Sequence, residues 1–62
     1  MSDDKDYNYD RITSAKAMMG MVEDDMLRII YRGNASSNIR NRMVEFLRIA
    51  AEEVEKIKVA TS

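Results

Sequence analysis

The 62-residue chain contains no cysteine and no histidine. Disulfides are excluded, and so is most of the ligand chemistry that holds zinc and other transition metals. Near this length a single core barely offsets the entropy of ordering the chain, about 1.5 kcal/mol per residue with side chains. Small folds escape that limit through disulfides, metals or oligomerisation, so oligomerisation is what remains. Only two glycines occur, Gly20 and Gly33, and they make no phosphate-binding loop. No nucleophile has a plausible base beside it, so the chain reads as a non-enzyme that needs no cofactor. Glu23, Asp24 and Asp25 are consecutive and should fan outward from a helix rather than converge on a metal. Long apolar runs are also missing. Stretches such as Ala17-Met18-Met19 fall far short of the roughly 20 residues that cross a bilayer, so no membrane partner is expected. The acidic start, Ser2-Asp3-Asp4-Lys5-Asp6, is the opposite of a secretory leader, which makes a cytoplasmic location the default. A net charge of −1 offers no general attraction to nucleic acid or anionic lipid.

Two apolar stripes at helical spacing are what the chain does have. The first runs Ile12, Ala15, Met19, Val22, Met26, Ile29, and the second runs Met43, Leu47, Ala50, Val54, Ile57. Alternating steps of three and four place each set on one face of a helix. They predict an all-α antiparallel two-helix hairpin within residues 10–62, with helix one over about 13–32, a turn at 33–36 and helix two over about 37–59. Both apolar faces are wider than contact with one neighbour requires. A hairpin that dimerises into a four-helix bundle is the simplest assembly that covers them. The predicted self-association seam is Met19, Val22, Met26, Ile29, Met43, Leu47, Ala50 and Val54.

Gly33 can adopt the left-handed conformation that closes a helix, and Ser36 or Ser37 can cap the next one. Thr13, Ser14 or Asp10 is the expected cap of helix one. Residues 1–9 carry no helical apolar pattern and are expected to form a flexible acidic tail. Arg48 with Glu52, and Glu52 with Lys56, stand at i,i+4 and should pair on a solvated face of helix two.

Two further groups of residues are candidate contacts. Gly20, Met21, Leu27 and Tyr31 lie off the seam and mark a candidate partner patch. Arg28, Arg32, Arg40 and Arg42 flank the turn, whereas Asp3, Asp4, Asp6, Glu52, Glu53 and Glu55 fall at the open end. Arg40 and Arg42 also sit unfavourably near the positive end of helix two's dipole. The arginines suit either the acidic end of a second subunit or a phosphate backbone.

The segment from Gly33 to Met43 resembles the turn and second-helix start of ribbon-helix-helix repressors, and Tyr7-Asn8-Tyr9-Asp10-Arg11 resembles their DNA-reading strand. That resemblance implies an intertwined dimer whose strand enters the major groove. The sequence departs from the pattern in its longer helix one and in Asp6 and Asp10, which would face DNA. The residues themselves favour a small regulatory or adaptor protein that acts by helix-mediated binding to a second copy and to another protein. A dimeric nucleic-acid-binding regulator, either ribbon-helix-helix-like or an RNA-binding four-helix bundle, is the alternative.

Overall fold

A computed structural model describes the backbone of residues 2–60 and the side chains of residues 4–60. Two helices, α1 (Ser2–Arg32) and α2 (Ser37–Glu55), pack against each other as an antiparallel hairpin. There is no strand among the described residues. Residues Tyr7 to Arg11 are helical, so the strand that the repressor resemblance implies is absent.

The turn is built from two local devices. Gly33 takes φ +72°, which costs other residues steric strain, and its N–H donates to the Ile29 carbonyl at 2.9 Å. Ser36 then starts α2, with extended backbone and a hydroxyl that accepts from the Ile39 N–H at 3.2 Å. That bond satisfies one of the donors a helix start leaves free.

The start of α1 differs from the sequence expectation. Described residues of the expected tail are helical, and α1 passes through Asp10, Thr13 and Ser14 without a break. Met1 and the Asp3 side chain lie outside the described residues. Polar contacts explain the difference. Asn8 accepts from the Lys58 N–H at 2.9 Å and donates to the Lys58 carbonyl at 3.0 Å. Arg11 pairs with Glu53 at 2.9 Å, and Lys58 approaches Asp4 at 3.7 Å. The Tyr7 ring faces the cations of Arg11, 5.2 Å from its centroid, and Lys58, 4.9 Å from it. Helix α1 therefore extends past the end of α2, alongside the segment that follows it, on side chains that an apolar pattern does not register.

These contacts also account for where α2 stops. It ends at Glu55 rather than near residue 59, with Lys56 as its cap. Asn8 occupies both backbone hydrogen-bonding groups of Lys58, and a helix continuing to residue 59 would have used the N–H internally. On the outer face the ion pairs form at i,i+3, Arg48 with Glu45 at 2.9 Å and Lys56 with Glu53 at 3.4 Å. They replace the expected i,i+4 pairs through Glu52.

The contact between the helices is thin. Among the described residues, Ala15, Val22 and Ala50 are its buried apolar residues and no large side chain is fully buried. Ala15 and Ala50 fall at the same level of the hairpin, where small side chains let two helices approach closely. No described helix is long and apolar enough to cross a membrane.

Candidate functional site

The hairpin has two unlike broad faces, and burial sets which residues belong to each. The seam along α1 is Asn8, Arg11, Ala15, Met18, Val22, Asp25 and Ile29, all buried or half-buried. Along α2 it is Ile39, Met43, Phe46, Ala50, Glu53 and Ile57. Written as heptads, these are the a and d positions of both helices.

One face of the hairpin flanks this seam on the side of the Asp25 carboxylate. A cleft of about 300 Å³ there is lined by Met21, Asp24, Asp25, Arg28, Arg42 and Phe46. Its outer rows carry Asp10 and Asp24 on α1, with Tyr31 one heptad further on, and Glu45 and Glu52 on α2.

The opposite face is apolar. Ile12, Met19 and Met26, one heptad apart on α1, remain 46–48% exposed, and Leu47 and Val54 on α2 are 47% and 51% exposed. Tyr9, Ile30 and Val44 extend the same rows and are also exposed. Among the described residues, eight of the twelve large apolar side chains left exposed thus share one face. A cleft of about 430 Å³ at its turn end is lined by Ile29, Ala35, Ser36, Ser37, Arg40 and Met43. Exposed apolar residues scattered singly are ordinary, whereas these form a contiguous face beside a thin core.

The predicted seam is therefore divided. Val22 and Ala50 are buried between the helices, and Ile29 and Met43 are half-buried there. Met19, Met26, Leu47 and Val54 lie on the open face. The candidate partner patch is also split. Leu27 and Tyr31 are exposed on the outside of α1, 43% and 81% accessible, whereas Met21 lines the Asp25 cleft. A Cβ added at Gly20 would meet nothing within 4 Å, so the hairpin itself gives no packing reason for that glycine.

Asp25 corrects the expectation that the three consecutive acids all point outward. It is 2% exposed and accepts a bidentate pair from Arg42, Nε to Oδ2 at 3.0 Å and Nη2 to Oδ1 at 2.5 Å. Arg28 Nη1 lies 3.7 Å from Oδ1. Asp25 is a buried polar residue that apolar periodicity misses, and its three-residue spacing from Arg28 is its only sequence signal. Two of the four turn arginines thus converge on a carboxylate of their own chain. That contact offsets the unfavourable dipole position of Arg42 without a second subunit. Arg40 lies on the other side of the hairpin, bonded to the neighbouring Asn41 at 3.4 Å, so the four do not form one basic patch. Among the described residues, no group of acids is placed to hold a metal ion.

Hydrogen bonds from Arg42 hold the Asp25 carboxyl below its ordinary pKa. The positive charges of Arg42 and Arg28 add to the effect, and burial opposes it. A depressed native pKa stabilises the fold above the unfolded value of about 3.9, and this contribution is lost as pH falls through the native value. Thermal unfolding of the wild type should therefore show a loss of stability below about pH 4 that is smaller in Asp25→Asn. At neutral pH the variant should be the less stable of the two. Parallel profiles for the two chains would show that the ion pair is not made in solution.

Burial and fold together define a helical hairpin with two unlike broad faces, one mainly apolar and one built around the Asp25–Arg42 pair. The chain matches no protein-family model, no curated protein and no solved structure.

Proposed function

We propose that the protein is a small non-enzymatic interaction module, a regulator or adaptor that acts as a homodimeric four-helix bundle and binds another protein through its outer surface. The apolar face carries the reading. It is left open by a hairpin whose own core holds three small or medium apolar residues. From Tyr9 to Ile30 it runs about 32 Å on α1 and from Val44 to Val54 about 15 Å on α2, so at about 10 Å per helix it covers on the order of 500 Å². That is more than half of the roughly 800 Å² per partner of a standard stable interface. Covering it with a second copy gives each helix two neighbours, which suits the width of the apolar arcs. In that bundle Leu27 and Tyr31 remain on the outside, available to a different protein.

The turn arginines give less support to phosphate binding, because Arg28 and Arg42 are engaged with Asp25 and Arg40 lies on the other side.

The test is the solution mass of the full chain by sedimentation equilibrium over a concentration series, at low and high salt. A dimer that persists in high salt is the expected result, since the face is apolar. A chain that stays monomeric and helical throughout would overturn the bundle and leave the apolar face as the site for a different protein.

A further inference from the structure

The apolar face of α1 is self-complementary about Met19. Lys16 and Glu23 stand three and four residues to either side of it, Ile12 and Met26 seven to either side, and Tyr9 and Ile30 ten and eleven. All of these positions share the open face. An antiparallel copy of α1 laid over this row therefore places apolar residues on apolar residues, and Lys16 on the partner's Glu23 twice.

Helix α2 repeats the arrangement about Leu47. Val44 and Ala51 stand three and four residues away, and Arg40 and Val54 seven. Only Arg40 meets an unlike residue, and its methylene stem can cover Val54 with the guanidinium in water. The two centres are level in the hairpin. The pairs Arg11–Glu53 and Asp25–Arg42 fix the register of α1 against α2, and Met19 and Leu47 both fall close to midway between them.

We infer that two copies dock through this face about a two-fold axis that runs across the helices and passes between Met19 and Leu47. Each α1 lies antiparallel on the other α1, and each α2 on the other α2. Two reciprocal Lys16–Glu23 ion pairs fix the register. A closed, isologous contact of this kind requires such self-complementarity. The alternative two-fold axis, parallel to the helices, would lay α1 over the partner's α2. Lys16 would then meet Ala51 and Glu23 would meet Val44, with neither charge paired. This inference rests on the dimer proposed above and specifies its geometry.

The test uses full-length Lys16→Glu and Glu23→Lys chains. In a homodimer, the first variant sets two Glu–Glu contacts across the axis and the second sets two Lys–Lys contacts. Each should raise the dimer dissociation constant about tenfold, in a salt-dependent way. An equimolar mixture restores opposite charges at both contacts, so heterodimers should form with near wild-type affinity, and the double variant should recover the homodimer. Wild type that dimerises while the mixture shows no preference for the heterodimer would overturn this geometry and leave the dimer standing. Wild type that stays monomeric would overturn the dimer, and this geometry with it. Oxidative cross-linking gives a second readout in a chain without cysteine. Met19→Cys should cross-link to itself, and so should Leu47→Cys. Cross-links that form only when the two variants are mixed would establish the parallel axis instead.

Discussion

Leu47→Asp should dissociate the dimer and, at concentrations where the wild type is assembled, remove most of the helical signal. In a single hairpin Leu47 is half exposed, so the hairpin alone would tolerate a carboxylate at this position. Across the proposed two-fold axis, however, the two copies of residue 47 face each other. Each aspartate would lose its water without gaining a partner, and each would meet a like charge. Burying an unpaired carboxylate costs several kcal/mol, and breaking a buried contact in this way typically costs about 3–5 kcal/mol. On the affinity scale that corresponds to a weakening of about 10²- to 10³-fold or more. Loss of helix follows from loss of the partner, because the hairpin's own core is too thin to hold 62 residues in order. Sedimentation equilibrium and circular dichroism on the same samples check the result. Asn41→Asp, on the outside of α2, is the control and should leave both signals unchanged. A Leu47→Asp chain that remains a folded dimer would place Leu47 outside the interface.

The sequence stripes show what apolar periodicity captures and what it leaves out. The α1 stripe alternates Ala15, Val22 and Ile29, which face α2, with Ile12, Met19 and Met26, which face the open side. The stripe of α2 does the same with Ala50 and Val54. Each stripe points between the contact with the other helix and the open face, so its members belong to two different surfaces. The true seam was hidden because Arg11, Asp25 and Glu53 occupy seam positions, and charged residues are normally read as solvated surface. For the same reason the first turns of α1 were legible only as a polar tail. Arg11 holds them to α2 and Asn8 holds them to Lys58 just beyond it, through an ion pair and hydrogen bonds forty-two and fifty residues away in sequence, and no local pattern encodes such pairs. The turn was accessible because Gly33 and Ser36 act within four residues, through φ and a hydroxyl bond that depend on residue type alone.

Val22→Asp should behave differently from Leu47→Asp and abolish the fold at every protein concentration. Val22 is 4% exposed and lies between the helices of one chain, so the substitution damages each hairpin itself and not only the contact between copies. The substitution removes apolar burial worth about 1.5–3 kcal/mol and adds a desolvated carboxylate with no donor of its own. It also places that carboxylate one turn from Asp25, on the same face, where it competes for the Arg42 guanidinium and repels the charge already bound there. Combined losses above about 4 kcal/mol are diagnostic of a core disrupted by an unpaired charge, and they rival the whole stability of a domain this small. Val22→Ala removes only methyl groups and should give a helical protein with a lowered melting temperature, which separates lost volume from added charge. The two aspartate variants are then told apart by mass action. Raising the concentration should restore helix to Leu47→Asp, whose defect lies in an association step, and should do nothing for Val22→Asp. A helical, dimeric Val22→Asp would mean that α1 presents a different face to α2, and the assignment of both interfaces would be overturned together.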